Sequence, residues 1–149
     1  MSTMAICWIG IGEYNILFDE FYKSFSDKFC TDILKTFFIF TDKPELYKDI
    51  KNSFIYEVSN ACTLKEFVLF RKFKYLMMAE DKFLKYDYVT FINGNMVCKE
   101  NVISEEVISY NRPLTVVTHP CYPINKCNIR NCDIKSCASF CPSENWIYK

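Results

Sequence analysis

Glycine is scarce in this chain: there are three in 149 residues, with five prolines, which argues against disorder and low complexity. No charge sign is in excess, because 18 Lys and Arg balance 18 Asp and Glu. A chain with no net charge offers no general attraction for nucleic acid or an acidic membrane. No stretch reaches the roughly 18 consecutive apolar residues that a membrane-spanning helix needs. The apolar start, Met4–Ile11, lacks a basic flank and runs straight into Gly12-Glu13-Tyr14. It reads as a first strand and not as a signal peptide, so a soluble, cytoplasmic protein is expected. Histidine occurs once, at His119. A lone histidine says little about catalysis without further context.

Half of the residues are apolar and 17% are aromatic, enough for a sizeable core in a single domain, residues 1–149. Nine cysteines are unevenly spread. Cys7, Cys30, Cys62 and Cys98 fall in apolar segments, where cysteine behaves as a small hydrophobe. Cys121, Cys127, Cys132, Cys137 and Cys141 crowd an irregular tail, 121–149, behind a core of 1–120. An intracellular setting argues against disulfides. A zinc site is the sharper alternative, but no Cys-x-x-Cys pair supports it.

Met4–Ile11 is nearly all apolar, as expected of a strand buried on both faces. Tyr14, Leu17, Phe18, Phe21, Tyr22 and Phe25 recur at helical spacing and predict a helix over Tyr14–Phe29. Thr36–Phe40 and Ser53–Glu57 read as strands. Leu64–Lys85 reads as one long helix, with Phe67, Phe70, Phe73, Tyr75, Leu76, Met78 and Phe83 mostly toward the core. Tyr86–Ile92 is a buried strand, Met96–Cys98 resumes it, and Leu114–Thr118 is a further strand. Strands alternating with helices predict an α/β fold with a mainly parallel sheet.

In such a fold, ligands bind at the C-terminal ends of the strands. Ile9–Tyr14, Asn93-Gly94-Asn95 and His119-Pro120 all fall there. Gly10-Ile11-Gly12 is no dinucleotide fingerprint, because position 15 is Asn15 and not glycine. Asp42, at the end of the second strand, reads as a turn residue before Pro44. A nicotinamide enzyme is therefore rejected. By itself Asn93-Gly94-Asn95 also fits an ordinary turn.

Four segments in order resemble the family 6 glycosyltransferases, which include the blood-group A and B transferases and the α-1,3-galactosyltransferases. Ile9-Gly10-Ile11-Gly12-Glu13-Tyr14 resembles that family's first strand and Tyr-containing turn. Thr36–Asp42 resembles its second strand. Tyr86–Met96 is similar to its strand leading into Asp-Val-Asp, and His119-Pro120-Cys121-Tyr122 to its His-Pro-Gly-Tyr. The Asn-x-Asn form resembles the bacterial and phage-like branch, whose members work without metal.

The resemblance implies a GT-A-like, Rossmann-type nucleotide-sugar-binding domain with an incomplete acceptor half. It implies retaining transfer of Gal or GalNAc from a UDP-sugar to a galactoside or other glycan acceptor, with no metal cofactor. The backbone around Ile9, Gly10 and Ile11 would hold the uracil edge, and Tyr14 would pack on base or ribose. Alternatively, Tyr14 is the first core-facing residue of its helix. Asn93 and Asn95 would meet ribose or sugar hydroxyls and the phosphate. Arg71, Lys72 and Lys74 are candidates to balance the diphosphate, unless they form a solvated helix face. His119 would lie beside the acceptor, or be a strand-end residue bonded locally.

The sequence departs from the family where Asn128-Ile129-Arg130-Asn131 keeps only the arginine of a Tyr-Glu-Arg run. The family's catalytic carboxylate has no counterpart up to Lys149, so the chain reads as truncated and its own activity as weak. The rival readings are a non-catalytic UDP-sugar-binding remnant and a small interaction protein whose Cys-rich tail binds zinc or a partner.

Overall fold

A computed structural model describes residues 1–59 and 72–109. Within them, β1 (Thr3–Gly10) leads through a 3-10 turn (Gly12–Leu17) into α1 (Phe18–Lys28). Then come β2 (Leu34–Thr41), a second 3-10 turn (Pro44–Tyr47) and β3 (Ser53–Glu57). The later elements are α2 (Lys72–Met77), α3 (Glu80–Phe83), β4 (Tyr88–Phe91) and α4 (Ser104–Val107). The four strands form one sheet in the order β3-β2-β1-β4, and every pairing is parallel. This is the Rossmann-like α/β arrangement expected of a GT-A-like domain.

Strand geometry explains why β1 is apolar throughout. Successive side chains point to opposite faces, and both faces of β1 are covered. Met4, Ile6 and Trp8 pack with Phe18, Phe21 and Phe25 of α1 and with Phe37 and Ile39 of β2. Ala5, Cys7 and Ile9 pack with Phe38, Phe40, Tyr75 and Ala79. Burial in this second layer pushes the Cys7 thiol up to about 12, so it stays neutral and acts as a small apolar residue.

The chain runs outward from β1 to β2 and β3, and β4 lies on the opposite side of β1. The strand order therefore reverses between β1 and β4. A crevice at the C-terminal ends of strands flanking such a reversal is where open α/β sheets bind ligands.

Several sequence expectations are corrected. The segment after β1 is not α-helical from Tyr14. It begins as a 3-10 turn and becomes an α-helix only at Phe18, and Tyr14 remains 44% exposed. The long helix expected over Leu64–Lys85 is broken, where described, into α2 and α3. The break lies at Met78-Ala79, whose N–H groups bond three residues back, to Tyr75 and Leu76. The helical spiral is lost there. Tyr75 and Ala79 reach the core, while Phe73 is 61% and Met78 51% exposed. Phe67 and Phe70 lie outside the described residues. β4 is shorter than Tyr86–Ile92 and is not buried throughout, since Val89 is 48% exposed. Met96–Cys98 does not resume a strand. The stretch is held to the body by Cys98 N–H donating to Ser24 Oγ at 3.1 Å, by the bridge between Val102 and Phe29, and by Ser104 N–H donating to Asp32 Oδ1 at 2.8 Å. The strand expected at Leu114–Thr118 and the cysteine-rich tail lie outside the described residues.

The end of α1 shows how one side chain closes a helix. Its C-terminal carbonyls have no intrahelical donors. Lys35 of β2 fills this role: its Nζ donates to Phe25 O at 3.0 Å, Ser26 O at 2.6 Å and Phe29 O at 2.7 Å. A cation at this end also suits the helix dipole. Desolvation pulls the Lys35 ammonium below its usual range. Replacing Lys35 with Met keeps the apolar stem and removes the three donors. The expected loss of stability is roughly 1–3 kcal/mol, read as a lower denaturation midpoint with an unchanged slope. An unchanged midpoint would show that water serves these carbonyls equally well.

Candidate functional site

The C-terminal edge of β1 is built around Asn15, a buried polar residue in the 3-10 turn. Its amide nitrogen donates to Gly12 O at 2.9 Å and to Asp42 Oδ1 at 2.8 Å. Its amide oxygen accepts from Thr41 Oγ1 at 2.7 Å and from the Tyr47 hydroxyl at 2.5 Å. An asparagine side chain has two donors and two acceptor lone pairs, so Asn15 is fully satisfied. Asp42 completes the tie by accepting the Gly12 N–H at 3.1 and 3.0 Å. Gly12 has a φ of 60°, in the left-handed region where an L side chain is strained. These bonds lock the Gly12–Asn15 turn onto the end of β2, whose Thr41 pairs with Gly10.

With Asn15 facing inward, Tyr14 faces outward, and its N–H bonds Ile11 O at 3.2 Å. The alternative that Tyr14 faces the core is overturned: the core-facing residue of this turn is Asn15. Ile9 is buried, Gly10 is buried beside it, and Ile11 is half-buried against the layer of Ile9 and Phe40.

On the other side of β1, Ile92 N–H bonds Cys7 O at 3.2 Å and prolongs the β4 pairing. The chain then turns, with Met96 N–H bonding Asn93 O at 3.0 Å. Asn93 and Asn95 are exposed at the tip, and neither side-chain amide has a partner among the described residues. Gly94 is pressed inward: a Cβ there would lie 3.3 Å from Ile9 O and 3.0 Å from Trp8 Nε1. The turn after β4 is thus seated on the end of β1. Two exposed amides therefore flank a glycine that sits against the Ile9 backbone, and Tyr14 is exposed on the turn that follows β1.

Of the expected site residues, the structure places Ile9, Gly10, Ile11, Tyr14, Asn93 and Asn95 along this one edge. Lys72 approaches it from α2, with its ammonium 5.8 Å from the centroid of the Phe91 ring at the end of β4. Lys74 is exposed on the same helix. Arg71 and His119 lie outside the described residues. Among the described residues no three His, Cys, Asp or Glu side chains converge as a metal site would require.

Sequence reasoning missed the Asn15 hub. Position 15 stood out only as a failed glycine fingerprint and Asp42 only as a turn residue. The signal was present in their combination: a short amide after a Gly-x-Gly, and a carboxylate leaving the next strand.

The hub has a testable pH signature. Burial pushes the Tyr47 phenol up to about 12 from its ordinary 10.0. A group whose folded pKa is raised stabilises fully below its unfolded pKa. That contribution is lost as pH rises from 10.0 to about 12. Tyr47→Phe should remove this part of the alkaline loss of stability, measured by denaturation at stepped pH. Asn15→Leu leaves Thr41 and Tyr47 without their shared acceptor and Asp42 without one donor. It should cost roughly 2–4 kcal/mol, which a neutral result in the same measurement would contradict.

No protein-family model matches the chain. It is 30% identical to the O-antigen biosynthesis glycosyltransferase WbnI of Escherichia coli over 121 residues, which make up 80% of this chain and 50% of that protein. The chain therefore spans about half the length of this relative, and what it is similar to is a glycosyltransferase.

Proposed function

We propose that this chain carries the donor-binding part of a retaining glycosyltransferase that moves Gal or GalNAc from a UDP-sugar to a galactoside acceptor, without a metal ion. One observation carries the reading. In a chain similar to a glycosyltransferase, the exposed Asn93-Gly94-Asn95 turn is seated beside Ile9 at the strand-order reversal.

Each part of a UDP-sugar has a counterpart there. The backbone of Ile9–Ile11 offers peptide groups to the uracil edge. Tyr14 offers an exposed ring for stacking, apolar on its face and polar at its tip. The turn offers two neutral amides, which donate to phosphate or hydroxyl oxygens. Carboxylates in their place would need a divalent cation to approach a diphosphate, because like charges repel. Amides do not, and they are poor ligands for hard divalent ions. Lys72 supplies positive charge near the end of β4, as a point charge without the bidentate grip of arginine.

In the transfer, the bond from the anomeric carbon to the diphosphate oxygen breaks and its electron pair leaves with UDP. A bond to the acceptor hydroxyl oxygen forms, and the proton of that hydroxyl passes to the released diphosphate or to water. Retention of configuration follows from a double displacement or from same-face departure and attack. Positive charge develops on the anomeric carbon in either route, and a carboxylate facing that carbon would stabilise it.

UDP should raise the melting temperature of the protein more than ADP or GDP does. Tyr14→Ala should remove most of that shift, since a stacked base contact is worth about 1–3 kcal/mol. The UDP shift should survive EDTA, and Asn95→Asp should make it depend on Mn²⁺. Equal shifts for the three nucleotides would refute uridine recognition. Abolition by EDTA would refute the neutral-amide role of the turn. Release of UDP from UDP-Gal or UDP-GalNAc in the presence of lactose tests the transfer itself.

A further inference from the structure

Trp8 is fully buried, yet its indole N–H has no hydrogen-bond partner among the described residues. Buried polar groups in folded proteins are nearly always paired, and leaving one unmet is costly. A phenyl ring would fill the same apolar layer without that cost. What the indole adds is reach.

Its six-membered ring lies across Gly10, where a Cβ would come within 1.8 Å of the ring carbon Cη2. Its nitrogen edge lies under the turn after β4, 3.0 Å from where a Gly94 Cβ would be. The ring thus touches both sides of the crevice, the end of β1 and the Asn93–Asn95 turn. It cannot retreat. Phe18 meets it edge-on with centroids 4.9 Å apart, Tyr47 stands at 5.9 Å and Phe21 at 6.0 Å. Tyr47 is itself bonded to Asn15, so the hub behind the Tyr14 turn and the support beneath the amide turn are mechanically joined.

We propose that Trp8 is a positioning residue: by supporting Gly94 it sets where the Asn93 and Asn95 amides stand relative to Ile9. It thereby governs the grip on the diphosphate and sugar more than the grip on the nucleoside. This rests on the donor-binding reading above, in which base and ribose meet Ile9–Tyr14 and the charged end meets the turn.

The test compares ligands that differ only beyond the nucleoside. Uridine and UDP-Gal affinities are measured by calorimetry for the wild type, Trp8→Phe and Gly94→Ala. Trp8→Phe withdraws the support from below. Gly94→Ala forces the turn and the indole apart by its own added Cβ, removes no aromatic side chain, and decides the matter if Trp8→Phe fails to fold. Each change should weaken UDP-Gal about tenfold, the worth of one hydrogen bond, while uridine changes by less than about twofold. Equal losses for both ligands, or none for either, would overturn the inference while the wild-type affinities keep the functional reading intact.

A wild type that binds neither ligand would instead overturn the functional reading. The positioning role is then decided without ligand, from backbone amide resonances of the variant that folds. Displaced signals for Asn93–Asn95 with unmoved signals in β3 support it, and an unmoved turn refutes it.

Discussion

Burial of β1 on both faces is the constraint from which the rest follows. A strand enclosed in this way has no room for chemistry along its length. Ala5, Cys7 and Ile9 fill one layer and Met4, Ile6 and Trp8 the other. Only its end, where the backbone leaves the sheet, can meet a ligand. The neighbouring elements confirm how strongly β1 organises them. α1 packs an aromatic row against one face, and Lys35 reaches from β2 to close that helix at its base.

At the exposed end, order is achieved with very few polar groups. Asn15 uses all four of its hydrogen-bonding positions, and Asp42 takes up the Gly12 N–H. Because those groups satisfy one another inside the protein, the residues left over are the ones facing outward. Tyr14, Asn93 and Asn95 are exposed, and the two amides have no partner among the described residues. A rigid frame with free polar groups at its rim is what recognition requires, since groups already held in place lose little freedom when a ligand arrives.

All three glycines of the chain sit at this edge. Gly12 takes up a backbone angle that side chains resist. Gly10 and Gly94 yield space to the indole of Trp8. A chain this poor in glycine places it where two backbone segments and one large ring must come together. That closeness turns two separate loops into one surface.

The fold class was legible in the sequence because it depends on periodicity. Near-continuous apolar runs such as Met4–Gly10 and Phe37–Phe40, short and bounded by turn residues, read as strands covered on both sides, and the helical spacing of Phe18, Phe21 and Phe25 names the face that covers them. That the polar loops after β1 and β4 share one edge was legible too, since loops after parallel strands fall on the same side of the sheet. The pattern could not report where periodicity is broken by tertiary contacts. Tyr14 fits a helical stripe as well as Phe18 does, and only Asp42, Thr41 and Tyr47 pulling on Asn15 turned it outward. Phe73 and Met78 are as apolar as their neighbours, but Tyr75 and Ala79 take the core face, and Phe73, two residues from Tyr75, is left on the opposite side of α2. Local spacing fixes which residues can share a face. Which of them meet a partner from another strand is decided by the packed sheet, because the hydrogen bonds that choose run between residues some thirty positions apart.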